Sequence, residues 1–323
     1  MPLEIRKMTE QKKAGVMKSL LLVVLLASQA SALVFAYAPA ATPVAEGVYA
    51  IVGPTDGRNY DNHALNNNLG FVVTTEGVVL IDSGASAQGA KLIQAAVRAV
   101  TDQPVRWVIN TGSQDHRWLG NDHFQRQGAQ IITLARTLDT QRQFADQHLA
   151  NLRPVLKDRL DGTRPAYADR VSDGDRLKLT LGGVPLVLFF PGDAHFSGDA
   201  VVWLPQQKVL FSGDLIYVDR MLGVLPWSNV RSWRDAFHQA EALQPKVIVP
   251  GHGGVCDLEK ARRDTGDYLD WLVDQIDVAV SNWEELDAVV ERLSDAPQFA
   301  HLKHFDSWQR TNINRAYLQL EGQ

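Results

Sequence analysis

Four side chains in this sequence share a setting that suits metal chemistry: His116, His195, Asp214 and His252. Each follows a short apolar run that reads as a strand, and glycine stands beside most of them, at Gly192, Gly198, Gly213, Gly251 and Gly253. A neutral imidazole nitrogen and a carboxylate oxygen are good donors to zinc and related ions. Glycine lets the backbone turn sharply and lets an ion come close. Any one of these groups has an ordinary explanation. A loop histidine is commonly just hydrogen-bonded at the surface, and Asp214 could cap a helix. Four of them, each at a strand end, point instead to a site where an ion activates water.

The elements that must hold these groups follow from periodicity. Residues 70–74 and 78–81 alternate as strands, with Thr75-Glu76-Gly77 as the hairpin turn between them. Leu92, Ile93, Ala96, Val97 and Val100 share one helical face, and residues 105–110 form the next strand, which makes a βαβ unit. Residues 131–133 are a further short strand. Residues 135–170 read as helix broken by Pro154 and Pro165, a polar insertion beside the site. The second half has strands at 176–180, 184–190, 200–204 and 208–211. A helix at 231–243 precedes a strand at 246–249, which runs into Pro250-Gly251-His252-Gly253. The last seventy residues are helical, with Tyr268, Leu269, Trp271 and Leu272 inward. The expected class is α/β, with two sheets face to face and helices outside.

Bulk properties narrow the function. The chain has 323 residues, 45% hydrophobic and 21% charged, with a net charge of −5. No basic field is present to hold nucleic acid. Lys12, Lys13 and Lys18 precede an apolar run at residues 20–26, and Ala30-Ser31-Ala32 follows. This is the order of a secretory signal peptide over residues 1–32, with the mature chain starting near Leu33. Ser28, Gln29 and Ser31 interrupt the run, which argues against a stable membrane span. The expected location is therefore periplasmic or secreted. Cys256 is the one cysteine, so no internal disulfide forms, and it reads as a small buried hydrophobe.

The motifs as a set resemble the metallo-β-lactamase superfamily. The matching features are the opening hairpin ending in Asp82-Ser83-Gly84, and Asn110-Thr111 and Gly120-Asn121 on either side of a ligand loop. Further on are His195 followed by Gly198-Asp199, then Ser212-Gly213-Asp214, then Pro250-Gly251-His252-Gly253. The resemblance spans roughly residues 44–260 and leaves a helical extension over about 257–323. It implies an αββα sandwich, two mixed sheets flanked by helices, with hydrolysis by metal-activated water at one edge.

The ligand loop departs from the family pattern Asn-Thr-His-x-His-x-Asp-His. Gly112 and Gln114 stand where the first two histidines belong, and without a gap His116 takes the Asp position and Arg117 the last His position. A one-residue slip would instead make Asp115-His116 the Asp-His pair. In either register the first metal site keeps only His195. The second keeps His116, Asp214 and His252, and gains Asp115 under the slip. The resemblance thus implies one ion, zinc or alternatively iron, with Asp214 orienting water and His195 binding substrate or shuttling a proton. Arg117 cannot ligate. Its cation could replace the charge of the missing metal or grip an anionic substrate group. Gln114, Arg117 and Trp118 are the expected substrate contacts, and Tyr60, Tyr217, Trp227 and Trp233 are further candidates for the cleft wall. The expected function is hydrolysis of a small ester, thioester or amide. The alternatives are a non-catalytic binding protein on the same fold and a mononuclear iron enzyme of redox or sulfur chemistry.

Overall fold

Alternation along the strands decides the layers of this protein. Leu186 and Leu188 point to one side of their strand and Phe189 to the other, and both faces are buried. The sheet they belong to must therefore be covered twice. The computed structural model describes residues 37–322, and Pro39–Gln323 form one compact unit. The expected signal segment, residues 1–32, lies outside the described residues. No helix among the described residues is long and apolar enough to cross a membrane.

The first sheet has seven strands in sequence order: β1 (Ala41–Ala45), β2 (Val48–Ile51), β3 (Leu69–Val73), β4 (Val78–Ile81), β5 (Val105–Ile109), β6 (Gln130–Leu134) and β7 (Arg170–Ser172). Strands β1 to β4 pair antiparallel, and β4 to β7 pair parallel. Helix α1 (Ala87–Arg98) makes the crossover between β4 and β5. The ligand loop after β5 holds the single turn α2 (Asp115–Trp118), and α3 (Asn121–Gln125) leads on to β6. Helix α4 (Ala135–Leu156) crosses from β6 toward β7. It runs unbroken through Pro154, in its last turn, so the break expected there does not occur and the helix ends two residues later.

The second sheet has the order β12-β11-β10-β9-β8, from β8 (Arg176–Leu181), β9 (Val184–Phe189), β10 (Val201–Leu204), β11 (Val209–Phe211) and β12 (Val247–Val249). Only β11 and β12 pair parallel, with α5 (Val230–Glu241) between them in sequence. Leu186, Leu188, Val202 and Phe211 meet Val72, Ile81, Ile109 and Ile132 of the first sheet in a shared apolar layer. Phe189, Val201, Leu210 and Ile248 face away from that layer and pack under helices. Those helices are α5, α7 (Asp267–Ser281), α8 (Leu286–Leu293) and α9 (Phe305–Glu321), preceded by the short α6 (Leu258–Ala261). Two mixed sheets flanked by helices is the sandwich that the sequence leads one to expect. Three strands escape periodicity: β1, β2 and the three-residue β7.

One glycine fixes how closely the sheets approach. A Cβ at Gly70 in β3 would lie 2.1 Å from Cε1 of Phe211 and 2.7 Å from the carbonyl of Tyr49. The phenyl ring of the second sheet occupies the space a side chain would need. Gly70→Ala should lower stability by about 1–3 kcal/mol through overpacking, read as a lower urea midpoint. Gly174→Ala, whose added carbon meets nothing closer than 3.9 Å, should stay within about 0.5 kcal/mol of the parent. Equal midpoints for the two variants would refute this account of the sheet contact.

Candidate metal centre

The loop between β5 and β6 is closed at its base by two amides. The Asn121 side chain donates to Oδ1 of Asn110 at 2.8 Å, and the Asn110 side chain donates back to Oδ1 of Asn121 at 3.1 Å. Ser83, just after β4, donates to the same Asn121 oxygen at 2.8 Å. This clamp fixes both ends of the loop, and α2 turns His116 and Arg117 toward the strand ends.

Arg117 is 1% exposed and lies between two carboxylates. Its Nη2 and Nε donate to the two oxygens of Asp214 at 2.5 and 3.3 Å, and Nη1 donates to Asp82 at 3.0 Å. Nη1 also reaches the Asn68 carbonyl at 2.8 Å. Asp82 accepts from the Thr111 backbone and hydroxyl as well, at 2.8 and 2.7 Å. Burial pushes the Asp214 carboxyl up, but Arg117 and His116 outweigh it and hold the group well below the usual carboxylate range. At Asp82 burial prevails, and its carboxyl is raised.

His116, Asp214 and His252 converge, with ligand atoms all within 4.8 Å of one another and each residue buried. Nδ1 of His252 lies 2.9 Å from the Asn66 carbonyl, which can only accept, so Nδ1 carries the ring proton. Burial holds this imidazole neutral, its pKa pushed down to about 3. Its Nε2 lone pair therefore faces Asp214 Oδ1 at 3.2 Å with no proton between them. Two lone pairs aimed at each other in a buried site call for a cation. That contact, with a tautomer already fixed by the backbone, fits a zinc-type ion well.

The third donor is arranged differently. Nε2 of His116 is 3.0 Å from Asp214 Oδ2, while Nδ1 faces Arg58 Nη2 at 3.1 Å and Asp115 Oδ1 at 3.3 Å. A guanidinium only donates, so with Arg58 engaged the ring proton sits on Nε2. For Nε2 to serve an ion, the proton must move to Nδ1, where Asp115 accepts it. Asp115 also pairs with Arg58, whose charge overcomes burial and keeps the carboxyl below its usual range. Asp115 thus stands behind His116 and is not among the three converging donors.

A cavity of about 390 Å³ opens beside the cluster, lined by His116, His195 and His252 with Arg58, Gln114, Tyr217 and Arg220. His195 stands apart from the three donors. Its Nδ1 donates to the Gly223 carbonyl at 2.9 Å, and burial pushes its pKa down to about 4. Gln114 lines the cavity with Oε1 unpartnered. Two expected substrate contacts need correction. Arg117 is sealed into its ion pairs, and Trp118 is fully buried, its Nε1 donating to the Ser113 carbonyl at 2.9 Å and its ring stacked on Tyr167. Neither lines the cavity. Where the family's first loop histidine would stand, a Cβ on Gly112 would come 3.0 Å from Asp199 Oδ1. Burial and the nearby Asp214 raise the Asp199 carboxyl well above its usual range.

Several residues at the cavity carry no sequence signal. Arg58, Asn66, Arg220, His304 and Trp308 come from loops and from the start of α9. Tyr217 lines the cavity, whereas Trp233 is packed beneath His195 at 5.4 Å between rings. Tyr60 is turned to Asp158 and Arg159, and His123 to Gln94.

Removing the acceptor behind His116 is a direct check on this geometry. Asp115→Asn should weaken zinc binding about 10–100-fold, as loss of a carboxylate that orients a ligating histidine typically does. Competition with a chromogenic chelator measures it, and an unchanged dissociation constant would remove Asp115 from the ion's support.

Comparison with known proteins identifies the family and the fold. The family model of the metallo-beta-lactamase superfamily matches residues 64–252. The chain is 24% identical over 178 residues to the 2,4-dinitroanisole O-demethylase subunit alpha of Nocardioides sp. (strain JS1661), a stretch that is 54% of this chain and 49% of that one. It therefore spans about half the length of that curated relative. Among solved structures, a metallo-beta-lactamase from Pontibacter korlensis is similar with a TM-score of 0.58 at 25% identity, over 72% of this chain and 99% of that one. The sec-alkylsulfatase Pisa1 from Pseudomonas sp. shares the fold alone, with a TM-score of 0.70 at 15% identity over 87% of this chain and 50% of that one. With the family match running from Ala64 to His252, across the hairpin, the ligand loop and all three converging donors, the chain belongs to the metallo-beta-lactamase superfamily.

Proposed function

We propose that this protein is a mononuclear metal-dependent hydrolase of a small ester, thioester or amide, with zinc held by His116, Asp214 and His252. The unprotonated His252 Nε2 facing the Asp214 carboxylate at 3.2 Å carries the reading. A divalent ion held there supplies Lewis acidity, acidifying water and polarising a substrate oxygen. The chain's own groups do the rest. Asp214 is oriented by Arg117 and holds its charge at neutral pH. His195 is neutral at pH 7, because burial puts its pKa about three units lower. With Nδ1 committed to Gly223, it offers Nε2 as a hydrogen-bond acceptor that orients water or substrate. Such a weak base positions a proton more readily than it removes one. Gln114 contributes to the wall of the cavity beside them.

A second reading has support of its own. Gly112 and Gln114 give up the family's first pair of loop histidines, as a non-catalytic binding protein would. The two-histidine, one-carboxylate set also suits iron. Elemental analysis of the purified chain separates these readings: about one zinc per chain fits the proposal, one iron fits the redox alternative, and no metal fits the binding protein. Chelation should abolish hydrolysis of activated esters and zinc should restore it. His252→Ala should reduce activity more than about 100-fold, since a donor itself is lost and not merely its support. Full activity in metal-free protein would sink the proposal. Export is part of the same proposal, on the charged, apolar and small-residue order of residues 12–32, and N-terminal sequencing of the mature protein should begin near Leu33.

A further inference from the structure

The donor His252 is held through its ring and through its main chain. Its Nδ1 donates to the Asn66 carbonyl at 2.9 Å, and its ring stacks on that of Tyr217 with 4.7 Å between centroids. Its main chain runs parallel to residues 216–218, where Tyr217 and His252 pair. The Gly251 amide donates to the Ile216 carbonyl at 2.8 Å, and the Val218 amide donates to the His252 carbonyl at 3.0 Å. The two stretches run so close that a Cβ at Gly253 would lie 1.9 Å from the Val218 carbonyl oxygen. The N–H and C=O of Tyr217 itself both go to one side chain. The Thr265 hydroxyl accepts from the Tyr217 amide at 3.0 Å and donates to the Tyr217 carbonyl. One hydroxyl thus does for Tyr217 what a neighbouring strand would do, and Thr265 is fully buried in doing it.

Thr265 belongs to a π-helical turn, Arg262–Gly266, between α6 and α7. A π turn carries one residue more than an α-helical turn, and such turns are frequent at functional sites. Here it faces the 217–219 stretch with two adjacent side chains. Thr265 takes Tyr217, and Asp264 accepts from the Asp219 amide at 3.0 Å. The turn is itself fixed from outside. Asp264 pairs with Lys260 at 3.1 Å, and a Cβ at Gly266 would lie 2.4 Å from Cε1 of Phe237 on α5. A rigid chain of contacts therefore runs from the π turn through Tyr217 to His252. It starts beyond residue 252, where the match to the family model ends.

We propose that Thr265 is a positioning residue for His252: through the Tyr217 backbone it fixes the main chain of this donor and the ring stacked on it, so that zinc affinity depends on a hydroxyl that lies outside the donor cluster. Valine matches threonine in shape but can neither donate nor accept. In Thr265→Val, both polar groups of Tyr217 would be buried without partners, a condition relieved only by movement of the stretch that pairs with His252. This deepens the metal-dependent reading and rests on it only where an ion is the probe.

Two measurements test it. The first is amide hydrogen exchange of the metal-free chain, followed by NMR. In the parent, the Tyr217 amide should be as protected as those of Val218 and Gly251. All three should exchange at least about tenfold faster in Thr265→Val and close to the parent rate in Thr265→Ser. The second is ion binding, with zinc affinity read by a chromogenic chelator and ligand geometry by the visible bands of bound cobalt(II). Thr265→Val should weaken zinc at least about tenfold and alter the cobalt bands, and Thr265→Ser should restore both. Val289→Ala, a truncation of a fully buried residue on α8, should lower the urea midpoint and leave zinc affinity, cobalt bands and the three amides alone. If Thr265→Val does not fold, Thr265→Ala carries the same expectations, and the protection of Tyr217 in the parent still decides. A parent that binds neither ion would overturn the metal-dependent reading, and exchange alone would then judge Thr265. A parent that binds zinc, with Thr265→Val equal to it in affinity and cobalt bands, would overturn the role of Thr265, as would rapid exchange of the Tyr217 amide in the parent.

Discussion

The guanidinium of Arg117 is the interaction on which the site depends. A charge removed from water costs several kcal/mol unless it is paired and fully hydrogen-bonded. Arg117 meets that condition by drawing on strand ends from both sheets. It takes Asn68 before β3, Asp82 after β4, Asp214 after β11 and Gly251 after β12. Those are the segments that must come together if His116, Asp214 and His252 are to converge. Asp82 accepts the backbone of Thr111 in the same network, and so adds the end of β5. One side chain thereby holds the edge of the sandwich together. It also leaves its mark on the electrostatics, since it holds the Asp214 carboxyl well below the usual range.

The donor set explains why the cluster suits a cation while the neighbouring position does not. At the position the family uses for its first ion, this chain offers Gly112, an uncharged Gln114 and His195, with a carboxyl at Asp199 that burial disposes toward its protonated form. The donors there are too few and too weak. His195 has instead become part of the cavity wall, its tautomer set by Gly223. The asymmetry between the two positions is built from side-chain identities.

Much of this was legible in the sequence. Strand ends with glycine marked three of the four positions, and the apolar runs placed all strands but β1, β2 and β7. The edges β1 and β7 are short and half exposed, and β2 has only four residues, so their periodicity is faint. Asn110 and Asn121 were visible as flanking residues, but the reciprocal amide clamp that makes them matter exists only in three dimensions. Arg117 and Trp118 were misread because sequence adjacency to a ligand suggested adjacency to substrate. A four-residue helical turn sends neighbouring side chains in different directions, and here it buries all four. The places of Arg58 and Arg220 could not be read at all, since loops far apart in the chain bring them to one cavity.

The cavity has walls of two origins. The ion-holding side lies within residues 64–252, the stretch that matches the family. The opposite side draws on Gly57, Arg58, His304 and Trp308, which lie outside that stretch and are laced together by the Lys303–Asp56 pair. The three donors and much of the cavity wall therefore lie in the matched stretch, while the rest of the wall is contributed from outside it. Change in the outer segments can reshape that far wall while leaving the donor cluster and its buried guanidinium untouched.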